Sequence, residues 1–175
     1  MDFDPIRLEI LWSGLVSIAE EMGVTLKKTA YSEMVREAND FSCALFDHHG
    51  DMIAQTDYIG SPGHLGSVRD AVKIMLREYP AESLQQGDSL ITNDPYLVAG
   101  HLPDIAIVNP IFYEGSLLGF ALTITHHTDI GGKVAGGHLA DSRQIFEEGL
   151  RIPISKFYSQ GIPNRDVLRF IESNV

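Results

Sequence analysis

A single cysteine, Cys43, occurs in the sequence, which excludes an internal disulfide and points to a reducing compartment. It sits in the apolar run Phe41-Ser42-Cys43-Ala44-Leu45-Phe46, the setting of a buried inert thiol rather than a nucleophile. No stretch approaches the roughly 18 consecutive apolar residues that a membrane span requires. The first residues, Met1-Asp2-Phe3-Asp4-Pro5, lack the basic start and apolar stretch of a secretory signal. A cytoplasmic protein is therefore expected. Basic residues are scarce, 13 against 24 acidic ones for a net charge of −11. That leaves no basic patch for nucleic acid or an anionic membrane. A Gly-x-x-x-x-Gly-Lys-[Ser/Thr] loop is missing, so ATP is not bound by that route. A Gly-x-Ser-x-Gly elbow is missing too, which leaves serine hydrolysis without an obvious nucleophile.

What remains is an ordinary globular composition. The chain has 175 residues, 44% hydrophobic and 21% charged, enough for one domain with a real core. Asp4 then Pro5 start a helix, a capping carboxylate followed by a residue that needs no amide donor. Leu8, Leu11, Trp12, Leu15, Ile18, Ala19, Met22 and Leu26 recur at the spacing of one helical face. The pattern predicts a helix running toward Met34, interrupted or bent near Gly23, with a stripe for the core or a subunit interface. Phe41 to Asp47 and Met52 to Thr56 flank the polar turn His48-His49-Gly50-Asp51, the pattern of a β-hairpin. A second helix is expected from about Ser67 to Tyr79, and a strand from Ser89 to Thr92. Ile105 to Tyr113 and Leu117 to Thr125 are nearly continuous apolar runs joined at Glu114-Gly115-Ser116, as in strands covered on both faces. A short helix is expected from Asn164 to Asn174. The fold class is α+β: a long N-terminal helix and a second helix packed on a mixed, largely antiparallel sheet, in a single domain over residues 1–175.

The chemistry gathers at the two ends of the Ile105–Thr125 hairpin. One stretch reads Asn93-Asp94-Pro95-Tyr96-Leu97-Val98-Ala99-Gly100-His101-Leu102-Pro103-Asp104, the other Thr125-His126-His127-Thr128-Asp129-Ile130-Gly131-Gly132. Imidazole nitrogens and carboxylate oxygens are ligands for divalent Zn, Mn or Fe, and soft thiolates are missing. If the two strands are antiparallel neighbours, their open ends bring His101, Asp104 and His126 together. Three protein ligands with open positions is the pattern of a catalytic metal. His126 and His127 are adjacent and point to opposite faces in extended backbone. Only one enters the site, with His126 preferred. His127 or Asp129 then serves as general base, substrate contact or partner to a ligand. Taken singly, each has a plainer role: Asp94 in a turn before Pro95, Asp104 as a strand cap, the histidines as hydrogen-bonded loop residues. Their combination around two apolar strands favours the metal. His64 and His138, in glycine-rich surroundings, are as consistent with structure as with substrate contact.

At these residues the chain resembles the hydantoinase B/oxoprolinase family. The matching features are Asp4-Pro5 with Leu8-Glu9, Arg36-Glu37 with Asp40-Phe41-Ser42-Cys43, Asp47 with Gly50, Ala54-Gln55, and Pro62-Gly63-His64-Leu65-Gly66. Further along come Gly87-Asp88, Asn93-Asp94-Pro95-Tyr96, His101-Leu102-Pro103-Asp104, His126-x-x-Asp129-Ile130-Gly131-Gly132 and Glu148-Gly149-Leu150-Arg151-Ile152-Pro153. The resemblance implies a two-part enzyme, a hetero-oligomer. A hydantoinase A-type ATPase subunit binds ATP and phosphorylates a lactam, imide or ketone-derived enol, and the activated molecule reaches the subunit that this chain is similar to. There a hydantoin, lactam or 5-oxoproline ring is opened by water; in the related ketone carboxylases, a carbon–carbon bond forms instead. The family's metal ligands fall on His101, Asp104 and His126, and Glu37 or Asp40 adds a carboxylate at or near the site. A non-catalytic module whose first helix docks the ATPase is the alternative of another class. Family members run to several hundred residues, so the chain is expected to be the N-terminal portion of a longer polypeptide. Where the family commonly has Gly-Gly-Thr before the His-Leu-Pro-Asp motif, this chain has Val98-Ala99-Gly100, which reshapes the pocket beside the first ligand.

Overall fold

The computed structural model describes residues 4–61, 64–137 and 140–175, so His138 lies outside the described residues. Helix α1, Pro5–Thr29, begins as its sequence dictates: the Asp4 carboxylate accepts from the Ile6 amide at 3.0 Å. It runs uninterrupted through Gly23, contrary to the expected break. A side chain at Gly23 would meet Ile59 Cδ1 at 2.7 Å and Phe41 Cε2 at 3.1 Å. The glycine serves close packing there, not flexibility. The helix stops at Thr29, short of Met34, and Glu33–Arg36 form a separate turn, α2.

Strands β1 (Phe41–Asp47), β2 (Met52–Gln55), β3 (Ser89–Thr92), β4 (Asp104–Tyr113), β5 (Ser116–His126), β6 (Ser155–Ser159) and β7 (Ile162–Pro163) build one sheet. Its order is β2-β1-β5-β4-β3-β6-β7, and every pairing is antiparallel. The β4–β5 turn has positive φ at both Glu114 and Gly115, the hairpin geometry whose twist matches the strands.

Helix α3 (Leu65–Glu78) covers one face of the sheet. Val68, Ala71, Val72 and Met75 pack there against Phe46, Leu90, Val108, Phe120, Leu122 and Ile124. On the opposite face, α1 lays Met22 and Leu26 over Phe41 and Cys43. Helix α4 (Arg165–Glu172), capped by Asn164, adds Val167 and Ile171 to a cluster of Ile91, Leu102, Ile105, Ile130 and Ile152. The strands near the hairpin tip are covered on one face only: Asn109, Ile111 and Leu118 are exposed. The N-terminal turns of α1 also stand clear, with Leu11 66% and Trp12 60% exposed. No helix among the described residues is long and apolar enough to cross a membrane.

Candidate metal centre

Register decides what meets at the open end of the sheet. Asp104 lies directly opposite His126 in the β4–β5 ladder, and Phe41 lies opposite Thr125 in the β1–β5 ladder. Asp40, one residue before β1, therefore comes level with His126, whose amide donates to the Asp40 carbonyl at 3.1 Å. Three neighbouring strands thus present Asp40, His126 and Asp104 in a row. His101 joins them from the loop before β4, where its carbonyl accepts from the Asp104 amide at 3.1 Å.

The loop is held by a buried cross-brace. The Asn93 amide nitrogen donates to the carbonyls of Leu102 (2.7 Å) and Leu150 (2.8 Å), and its oxygen accepts from the Ile152 amide at 2.6 Å. Glu148 accepts from the Leu102 amide at 3.2 Å. One asparagine thereby ties the end of β3 to the His-Leu-Pro-Asp loop and to the Gly-Leu-Arg-Ile-Pro segment. Asp94 beside it bonds Arg151 Nε at 3.0 Å and the Tyr96 amide at 3.0 Å. These bonds seat it in the turn before Pro95 and against Arg151.

His101 Nε2, His126 Nδ1 and Asp104 Oδ1 form a tight triangle. The edges are 3.0 Å from His101 to Asp104, 3.1 Å between the imidazoles and 3.3 Å from His126 to Asp104. Two ring nitrogens contribute at most two protons, so at least one of the three edges has no proton along it. A cation would satisfy such a convergence of lone pairs. Bonds of about 2.0–2.2 Å to a common divalent ion would set neighbouring donors about 3.0–3.4 Å apart. The residues fit a metal.

Electrostatics agree with the donor set. Burial alone would raise the Asp104 pKa, but hydrogen bonds from His101, His126 and His64 hold it well below the usual carboxylate range. The hydrogen bond to Asp104 in turn raises the pKa of His101 against the opposing effect of burial.

The other residues singled out from sequence lie at varied distances from the triangle. Asp40 is adjacent, with Oδ2 at 3.6 Å from His126 Nδ1. His64 touches the far oxygen of Asp104, Nε2 to Oδ2 3.2 Å. His127 lies across the strand from His126, its Nε2 3.2 Å from Thr125 Oγ1. Burial, with His126 adding, lowers its pKa. Asp129 is exposed and accepts from the Gly131 amide at 2.9 Å in a tight turn. Glu37 is exposed and faces Arg36 at 3.9 Å. None of these last three is brought to the triangle. Sequence reasoning missed the Asn93 brace and the link from Ser42 to His64, whose only signal was two motifs far apart in the chain.

A model of the hydantoinase B/oxoprolinase family matches residues 4–175. The chain belongs to this family. Among its hydantoinase B/oxoprolinase relatives, the caprolactamase subunit beta of Pseudomonas jessenii is 38% identical over 172 residues, 98% of this chain and 29% of that protein. A 5-oxoprolinase of Saccharomyces cerevisiae is 37% identical over 169 residues, 96% of this chain and 13% of that protein. The crystal structure of the ATP-dependent caprolactamase from Pseudomonas jessenii superimposes with a TM-score of 0.85 at 37% identity, covering 98% of this chain and 29% of that one. An acetone carboxylase in its nucleotide-free form follows with a TM-score of 0.84 at 27% identity, over 97% of this chain and 22% of that one. The chain spans less than a third of the length of these relatives.

Proposed function

We propose that this chain is the metal-binding part of a B-type subunit that opens hydantoin, lactam or 5-oxoproline rings after a partner ATPase subunit has phosphorylated them. It holds one divalent ion, Zn, Mn or Fe, at His101, Asp104 and His126. The observation that carries this reading is the triangle of three donor atoms at 3.0–3.3 Å, set in a family whose relatives bear the names caprolactamase and 5-oxoprolinase.

When bound, a divalent ion supplies Lewis acidity toward a carbonyl and lowers the pKa of water. His101 and His126 offer ring nitrogens, and Asp104 adds a carboxylate held well below its usual pKa range in its buried place. His127, with its lowered pKa, is neutral near pH 7 and so able to accept a proton, but from across the strand. Asp40 stands beside the donors and partly open to solvent, and is the better placed group to hold a proton from attacking water. Asp129 keeps its carboxylate on the Gly131 amide. ATP binds the partner, not this chain.

Two rival readings each have one observation in their favour. The likeness to acetone carboxylase favours an ATP-dependent ketone carboxylase subunit. The exposed apolar face of α1 favours a non-catalytic module that docks the ATPase. Assays of the complete complex separate all three. Lactam-dependent ATP hydrolysis with ring opening supports the proposal, whereas bicarbonate-dependent turnover supports the carboxylase. With His101→Ala and His126→Ala together, the proposal expects an intact complex without ring opening. Unchanged turnover in that variant would leave only the docking role.

A further inference from the structure

The two oxygens of Asp104 do different work. Oδ1 faces His101 and His126, while Oδ2 is turned away from them and lies 3.2 Å from His64 Nε2. His64 comes from the segment between β2 and α3, 40 positions earlier in the chain, and is almost fully buried. Its other ring nitrogen, Nδ1, lies 3.1 Å from Ser42 Oγ on β1, which in turn lies 3.2 Å from the Ser61 carbonyl. Asp40 Oδ1, at 4.0 Å from Nε2, is beyond hydrogen-bond length.

We infer that His64 is a positioning residue for the metal centre. It holds the outer oxygen of Asp104 so that the inner one stays aimed at the two imidazoles, and Ser42 fixes the ring that does so. This rests on the metal reading above. The chemistry allows one neutral arrangement. A carboxylate only accepts, so Nε2 carries the hydrogen; in a neutral ring Nδ1 is then bare, and it takes the one Ser42 hydroxyl hydrogen in place of the Ser61 carbonyl. The Asp104 carboxylate thereby selects the tautomer, and Ser42 tethers the far side of the ring.

His64 is not itself a member of the donor set. The donor atoms that lie within 4.8 Å of one another are those of His101, Asp104 and His126, and His64 Nε2 is engaged with the outer oxygen. The Gly100 side offers no side chain against the outer oxygen: a Cβ there would lie 3.6 Å from Oδ2. Freed from His64, the carboxylate can turn about its last torsion and lose its aim. Groups that orient a ligand in this way are worth roughly 10–100-fold in metal affinity.

The test uses the full-length protein, with Mn²⁺ titrated by electron paramagnetic resonance and Co²⁺ followed by its visible absorption. His64→Leu, which fills the space without a donor, is expected to weaken Mn²⁺ binding about 10–100-fold and to change the Co²⁺ spectrum. His64→Gln, whose amide can donate to Oδ2, is expected to recover most of both. Ser42→Ala is expected to fall between, because the ring loses its second tether. Tight wild-type binding with His64→Leu matching it in both readouts overturns the inference and leaves the metal centre standing. So does a folded His64→Gln as weak as His64→Leu. If His64→Leu fails to fold, Ser42→Ala identical to wild type overturns it. A wild-type protein that takes up neither ion overturns the metal reading and this inference with it.

Discussion

Asn93 shows how much of the site depends on one uncharged side chain. Two of its three hydrogen bonds are buried, the third partly so, and they reach two separate loops, so removing it leaves two carbonyls and an amide without their partner. Asn93→Ala is expected to lower stability by roughly 3 kcal/mol, each orphaned buried group costing about 1–3 kcal/mol, as read by urea unfolding. Cys43 supplies a pH test. Burial, with Glu20 adding, pushes its thiol from 9.0 up to about 12. The folded chain therefore keeps a proton that the unfolded chain releases above pH 9. Stability is expected to fall with pH between about 9 and 12, by up to roughly 1.4 kcal/mol per pH unit, relative to Cys43→Ala. Below pH 9 the two proteins should run parallel. At this scale the donor trio was legible because His101, Asp104 and His126 sit at the open ends of one hairpin. The alternation of side chains along β5 separated His126 from His127 just as a period of two requires. His64 stayed ambiguous because its place depends on a loop folding back from 40 positions away.

The elements followed from local chemistry wherever that chemistry was strong. The Asp4-Pro5 start, the apolar run of β1 and the Glu114-Gly115 turn each mark an element found in the structure. The β6–β7 hairpin was missed: it is short, ends in Pro163, and turns at Gln160-Gly161, both with positive φ. No interruption occurs at Gly23, where glycine instead makes room for Ile59 and Phe41. A similar constraint operates inside the sheet at Gly119 on β5. A Cβ there would sit 2.2 Å from the Phe46 carbonyl oxygen of β1, and backbone cannot move aside cheaply. Gly119→Ala is expected to cost roughly 1–3 kcal/mol, with its largest effect on amide-exchange protection along the β1–β5 ladder. Full stability in that variant would mean that the ladder is looser than its register implies.

For the molecule as a whole, α1 is the part that its own fold explains least. Ala19 and Gly23 are its buried residues, while Leu11 and Trp12 face solvent. The sequence stripe was read correctly as helical, yet periodicity cannot say whether a stripe meets this chain's core or another surface. Leu11→Glu with Trp12→Ala is expected to change unfolding free energy by less than about 0.5 kcal/mol, as exposed substitutions do. A loss of several kcal/mol would show that the stripe is buried within this chain. If the docking role is real, the same variant loses the ATPase subunit while keeping its fold.

The sheet, its register and its braces all bear on one point in space, where three donor atoms from two strands and a loop converge. Elemental analysis of the purified wild-type protein beside the His101→Ala, His126→Ala double variant tests that point most directly. The expected result is close to one equivalent of a divalent Zn, Mn or Fe ion per wild-type chain, and none in a variant that is still folded. A wild-type chain without metal, or a double variant that keeps its full complement, would contradict the metal centre.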